Sequence, residues 1–282
     1  MSAEIPRLDL AARASNLVPG SDGIWFAAGD DDQGFASADP TDWVDIENRS
    51  FWYGHRNDVV LDALKRFPPK GWLFEIGAGN GAVAAAAQAA GWPVVAVEPT
   101  VAWARNARRR GLSHVICAHF QNAGFASGAL ENAALFDVLE HIDDDAGFLA
   151  EVRGLMPADG RLYLAVPSFR FLWSKEDELS GHCRRYRASQ LEERVCAAGF
   201  RIEHRTYFFA PLMPVILVAR ALPYRLGLAR DRTHASSAAA HGVSNSLPVR
   251  LARAVLKGEL ALLRRGVRLP LGASLLVVAR AA

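Results

Sequence analysis

Beyond Trp72 the chain alternates short apolar runs with longer amphipathic stretches. The apolar runs predict strands at 72–76, 93–98, 114–118, 133–138 and 161–166, and the stretches between them predict helices at 80–91, 100–110, 144–156 and 188–198. Strand and helix in alternation argue for a parallel sheet covered on both faces. Phe200–Phe209 predicts a sixth strand and Ala273–Arg280 a seventh, with an insertion in the long stretch between them. Ahead of the first strand, Trp52, Val59, Val60, Leu61 and Leu64 form the apolar stripe of a helix over Ser50–Phe67, closed by Pro68, Pro69 and Gly71. Residues 1–49 predict one helix near Leu8–Leu17 and then a long loop, held to the domain by Trp25, Phe26, Phe35 and Trp43. The expected organisation is an N-terminal extension over 1–49, a main domain over 50–209 and 270–282, and an apolar, basic helical insertion over 210–269.

Composition narrows the class. With 282 residues, 51% of them hydrophobic and 22% charged, the chain is globular and large enough for one α/β domain with insertions. A formal net charge of +2 argues against a surface built for nucleic acid. Cys117, Cys183 and Cys196 are odd in number and widely spaced, which fits a reducing compartment better than a disulfide framework. Met1 to Gly20 lacks a signal-peptide core, and no run of about twenty uncharged apolar residues exists, so a cytoplasmic protein is expected.

The first candidate chemistry lies between Leu73 and Gly81, where an apolar run ends in Glu75 and glycine follows at 77, 79 and 81. Glycines so spaced let the backbone turn sharply and come close to a ligand. A dinucleotide fingerprint is met only loosely, by Gly77, Gly79 and Ala82. Glu75 weighs against it, because a carboxylate in the crevice repels pyrophosphate and attracts a cation. Glu75-x-Gly77-x-Gly79-x-Gly81 resembles motif I of the class I S-adenosylmethionine-dependent methyltransferases. The strand expected over Val94 to Pro99 ends in Glu98, where such domains hold ribose hydroxyls with a carboxylate. The alternative is an acid that caps the helix begun near Val101. The resemblance implies a Rossmann-like α/β fold: a seven-stranded, mostly parallel sheet with helices on both faces, an antiparallel last strand and a helical insertion before it. It also implies S-adenosylmethionine as cofactor.

Leu135 to Ile142 reads Leu-Phe-Asp-Val-Leu-Glu-His-Ile and resembles the signature after the fourth strand of many small-molecule methyltransferases, at the sheet end where cofactor and substrate meet. Asp137 is expected at the cofactor. Three roles stay open for Glu140 and His141: His141 orients the loop, or it takes the acceptor's proton, or it joins Asp137 and Glu140 in holding a divalent ion. Downstream, Trp173-Ser174-x-x-Asp177 and Gly181-His182-x-Arg184-Arg185-Tyr186 look like a feature of one bacterial branch of the family. That branch often has an aromatic-rich helix before motif I, here Phe51-Trp52-Tyr53-x-x-Arg56-Asn57. Trp173, Arg184, Arg185 and Tyr186 are expected substrate contacts, the guanidiniums gripping an anionic group. The alternative is that Asp177 pairs with an arginine and staples the loop. The resemblance covers roughly 50–209 and the last strand. It departs where relatives often carry an acid for the adenine amino group: here the chain reads His119-Phe120-Gln121-Asn122, so Gln121 or Asn122 would bond adenine and Phe120 would stack on it.

Within the insertion, Tyr207 to Ala219 is nearly all apolar but broken by Pro211 and Pro214, and Gly227 to Gly242 predicts a mobile polar loop. Leu247–Leu263 predicts a helix bearing Arg250, Arg253 and Lys257, with Arg264 and Arg265 after it. The 207–265 surface is a packed cap, a peripheral contact with an anionic membrane (the inner face) or lipid-linked substrate, or a protein interface. The expected activity is methyl transfer to a small-molecule or lipid-linked acceptor, at oxygen, with His141 or His182 as base. The rivals are a NAD-dependent oxidoreductase and a non-catalytic membrane-associated module.

Overall fold

The computed structural model describes residues 8–28, 40–228 and 246–282; Phe35 and most of the loop expected over Gly227–Gly242 lie outside them. Among the described residues the sheet has nine strands rather than the seven expected. The two additional strands, β1 (Leu17–Pro19) and β2 (Ile24–Ala27), belong to the N-terminal extension. The helix expected there shrinks to α1 (Leu10–Arg13). Gly20-Ser21-Asp22-Gly23 makes the turn between β1 and β2, closed by Gly20 N–H on Ile24 O at 2.7 Å. A Gly-bounded turn between two short apolar runs is a hairpin signal, and here the hairpin adds to an open sheet edge.

The other seven strands stand where the apolar runs predict them: β3 (Leu73–Ile76), β4 (Val94–Val97), β5 (Val115–Cys117), β6 (Asn132–Phe136), β7 (Arg161–Pro167), β8 (Phe200–Phe208) and β9 (Ser274–Ala281). The order is β1-β2-β5-β4-β3-β6-β7-β9-β8. Neighbours from β2 to β7 are parallel, and β9 is antiparallel to both β7 and β8. Successive strand residues point to opposite faces. Phe74, Ile76, Val95 and Val97 pack on one side with α6 (Asp145–Gly154) and α8 (Ala188–Ala197). Leu73, Val94 and Ala96 pack on the other with α3 (Phe51–Arg66), α4 (Ala82–Ala89) and α5 (Val101–Arg109). The chain winds from β3 to β4 and β5 in one direction and through β6 and β7 in the other, so the strand order reverses beside β3. Ligand crevices of open α/β sheets lie outside the carboxyl ends of the strands at such a reversal.

The described residues of the insertion are mainly helical. The chain runs through α9 (Met213–Ile216), a π-helical turn (Leu217–Ala221) and α10 (Leu222–Arg225), and returns as α11 (Leu247–Arg264). Leu256, Leu260 and Leu263 of α11 pack into the same core face as Val59, Val60 and Leu64 of α3. The buried Glu259 carboxylate locks the junction: His55 Nε2 lies 2.6 Å away, and the N–H groups of Phe209 and Ala210 donate to it at 2.8 and 2.7 Å. Trp52 stacks on Phe209 beside it at 3.8 Å.

Candidate active site

The turn after β3 is tied to β4, for the N–H groups of Gly77 and Ala78 both donate to Val97 O, at 2.8 and 3.0 Å. Gly77, Gly79 and Gly81 all have positive φ, the left-handed region that side chains disfavour. Their surroundings differ. A Cβ on Gly77 would lie 2.5 Å from Val138 Cγ2, and one on Gly81 would lie 2.8 Å from Ala107 Cβ and Leu112 Cδ1. A Cβ on Gly79 would meet only Trp103 Cε3, at 4.0 Å, so the turn is open to a ligand at that residue.

Charge gathers around this opening. Strand alternation puts Glu75 on the face covered by α3 and α4, where it is buried. Burial, countered in part by the Arg56 charge and the Ala84 N–H, pushes its pKa up to about 8. Glu98 directly follows β4 and accepts from Gly79 N–H at 2.9 Å and Thr100 N–H at 2.8 Å. Its carboxylate therefore joins the glycine turn to Thr100, the residue before α5, at the edge of the cleft. Burial raises its pKa, against those same backbone donors. Asp137 directly follows β6, with φ of +56°, and takes Arg56 Nη1 on Oδ2 at 2.5 Å. Arg56 is the residue that sequence reading had in a motif without giving it a role. It comes from α3, 81 residues before its partner, and Tyr53 lies one turn back with its ring 5.1 Å from the guanidinium.

Gln121 is exposed on a 3₁₀ turn (Phe120–Ala123), with its side chain bonded to Glu151. Phe120 is buried among Phe125 and Phe148. Behind the glycine turn, Asn106 Nδ2 donates to Asn80 Oδ1 at 3.0 Å and Asn80 Nδ2 to Glu47 at 3.1 Å. Glu47 lies on α2 (Pro40–Arg49) of the extension, paired with Arg110 at 2.7 Å.

A second cluster sits just past β6. The loop before α8 folds back on it, for Cys183 N–H donates to Glu140 O at 2.8 Å. Asp177, in the short helix α7 (Lys175–Leu179), is its hub. Its carboxylate accepts from His182 Nδ1 at 2.9 Å, from Arg185 Nε and Nη2 at 2.6 and 3.0 Å, and from Ser174 N–H at 2.9 Å. Burial alone would raise its pKa, but the His182 and Arg185 bonds outweigh it and hold the group at about 2. With Nδ1 so engaged, His182 turns Nε2 toward Glu140 Oε1, 3.9 Å away, and its ring meets that of His141 edge-on at 4.8 Å. Ligand atoms of Glu140, His141 and His182 all lie within 4.8 Å of one another. Glu140 is fully buried, and neither carboxylate oxygen has a hydrogen-bond partner on another residue. Burial, and then the Asp137 charge, push its pKa well above the carboxyl range. Burial and the neighbouring His182 lower that of His141.

The expected trio of Asp137, Glu140 and His141 is thus rearranged: Asp137 goes to Arg56 and His182 enters in its place. The expected substrate wall is also redistributed. Tyr186 is buried, its hydroxyl donating to Asp145 Oδ2 at 2.8 Å. Arg184 pairs with the same carboxylate at 2.7 Å and donates to Asp143 O. Arg185 is spent on Asp177 and Ser168 O, as the staple alternative has it. Trp173 remains partly exposed, with the Arg170 guanidinium 5.3 Å from its ring.

A family model described as a methyltransferase domain matches residues 52–205, more than half of the chain. No curated protein matches. Among solved structures, the chain is similar to the complex of a Haloferax volcanii methyltransferase activator with a candidate methyltransferase: 15% identity, 86% of this chain and 96% of that one covered, TM-score 0.54. It is similar to a Thermotoga maritima methyltransferase described as a possible histamine N-methyltransferase, at 16% identity, 86% and 94% coverage and TM-score 0.51. A Haemonchus contortus phosphoethanolamine N-methyltransferase bound to S-adenosylmethionine aligns at 17% identity over 88% of this chain and 58% of that one, TM-score 0.53. At such identities the likeness is one of fold: a Rossmann-like sheet, mostly parallel.

Proposed function

The chain belongs to the methyltransferase-domain family, and on that premise we propose that it transfers a methyl group from S-adenosylmethionine to oxygen of a small-molecule or lipid-linked acceptor. One observation carries the reading: the turn is open at Gly79, beside buried Glu75 and the Arg56–Asp137 pair. The methionine end of this cofactor bears an ammonium and a carboxylate and no phosphate, so it suits a cleft offering both signs of charge. Asp137 faces the ammonium in this reading and Arg56 the carboxylate, while buried Glu75, protonated at neutral pH, orients the loop behind them. Glu98 accepts from the ribose hydroxyls beside its backbone donors. Gln121 or Asn122 bonds the adenine edge in this reading, Gln121 by leaving Glu151, while Gly77 and Gly81 keep the turn tight around Gly79. The family match lends nothing to the oxidoreductase rival.

When bound, the cofactor supplies a methyl carbon on a sulfonium, so the acceptor oxygen gains its bond as the carbon–sulfur bond breaks and only the acceptor's proton needs a home. The protein's work is to align that oxygen and keep water out. His182, oriented through Nδ1 by Asp177, presents Nε2 as the base. His141 stands against it, kept neutral by burial. Trp173 and Arg184 border the loop from which an acceptor enters.

A second reading of the same corner is favoured by the Glu140 carboxylate, which no hydrogen bond from another residue engages: Glu140, His141 and His182 would hold a divalent ion, which would supply Lewis-acid activation of a hydroxyl. Calorimetry with S-adenosylhomocysteine and with NADH tests the cofactor; binding of the first and not the second is expected, and the reverse ends the proposal. Tritium transfer from labelled cofactor into lipid, sugar and small-molecule extracts then finds the acceptor. The same assay after chelation separates the readings, since loss of transfer restored by Mn²⁺ requires the ion.

A further inference from the structure

The chain is divided in charge. Residues 210–269 hold ten Lys and Arg against two Asp and Glu, which leaves twenty-two against twenty-eight for the rest. On α11 this charge meets an apolar face that no other described residue covers. Leu256, Leu260 and Leu263 point into the core, and so does Glu259, the acid of this helix. On the outer side, helical spacing lines up Leu247, Leu251, Val255 and Leu262, which are 66%, 58%, 50% and 42% exposed. Arg250, Lys257 and Arg264 run along one border of that stripe, all exposed. The helical run from α9 to α10 repeats the pattern, with Val215, Val218, Leu222 and Leu226 exposed, Arg225 beside them, and no acid between Met213 and Leu228.

Apolar stripes of this extent mark an interaction surface. A helix already packed by one face, with a second apolar stripe bordered by cations, matches what lies in the plane of a bilayer: aliphatic side chains at the acyl boundary and cations among phosphates. The same face of a second copy would oppose the same positive charges, so a symmetric dimer through this face is disfavoured. No helix of the described residues is long and apolar enough to cross a membrane, and α11 would lie along the surface. We propose that the outer face of α11, with that of α9–α10, docks on an anionic phospholipid bilayer. The α9–α10 run also touches the loop bearing the Asp177 hub, through Arg220 with Glu176 and Tyr224 with Glu178. Docking there sets the cleft near the lipid. It does not rest on methyl transfer, for a chain that binds no S-adenosylhomocysteine would still dock.

The test is co-sedimentation of the full chain with vesicles of phosphatidylglycerol and phosphatidylcholine in equal parts, against phosphatidylcholine alone. Pelleting with the first, weakened by added salt, is expected. The double variants Arg250→Gln/Lys257→Gln and Leu251→Gln/Val255→Gln alter exposed positions, so folding, read as the melting curve, should be unchanged. Each should weaken vesicle binding at least about tenfold. The proposal is overturned if the chain stays in the supernatant or binds neutral vesicles equally well. It is also overturned if both variants bind like wild type, or if light scattering finds a lipid-free dimer that Leu251→Gln dissolves.

Discussion

Glu75 shows how far the setting of one residue moves its chemistry. Its carboxyl, ordinarily near 4.5, titrates at about 8 because burial disfavours its charge more than Arg56 favours it. Through this window the folded chain keeps a proton that the unfolded chain has released. The stability contributed by Glu75 is therefore full below about 4.5, falls as pH rises, and is lost above about 8. The span is worth on the order of a few kcal/mol. Glu75→Gln preserves shape and removes the titration, so its melting temperature should exceed wild type at pH 9 and fall level with or below it at pH 5. A difference that does not change with pH would mean that the folded carboxyl is already ionised. The sequence made the acid visible; its face, its burial and its neighbour Arg56 depend on packing between α3 and β3.

The glycine turn joins two elements, and Gly79 and Gly81 serve it differently. Alanine at either must take up the left-handed backbone, at about 1–2 kcal/mol. At Gly81 the new methyl would also press on Ala107 and Leu112, forcing α4 from α5 and adding about 1–3 kcal/mol. At Gly79 it would enter open space where a cofactor backbone must pass. Gly81→Ala should thus lower the melting temperature more, and Gly79→Ala should lose more affinity for S-adenosylhomocysteine relative to its loss of stability. Calorimetry and melting curves compare the two, and equal effects on affinity would remove Gly79 from the cleft. Elements such as β3, β4 and β6 were readable because buried parallel strands are near-continuous apolar runs. The hairpin β1–β2 shows only its turn in the sequence: its strands are three and four residues long, and the edge that recruits them, β5, lies some ninety residues on.

Across the whole molecule, what sequence reading missed are pairs brought together by the fold. Arg56 meets Asp137 over 81 residues, and His55 meets Glu259 over 204. An amphipathic period tells that a face is buried, not against what. These two pairs share α3, whose His55 end holds the insertion while Arg56 reaches the cleft, so the basic outer helix and the candidate active site stand on one rigid element. Glu259 is the joint. Glu259→Gln would leave one acceptor oxygen for three donors and turn an amide N–H toward one of them, at a cost of about 1–3 kcal/mol. Its melting temperature should drop by several degrees, on the order of what such a loss produces in a domain of this size. Because α3 is displaced with it, affinity for S-adenosylhomocysteine should weaken as well, whereas Leu251→Gln on the exposed side of the same helix should change neither. A variant that melts like wild type would show that Leu256, Leu260 and Leu263 hold the insertion by apolar packing alone; one that melts lower yet binds normally would separate α3 from the cleft.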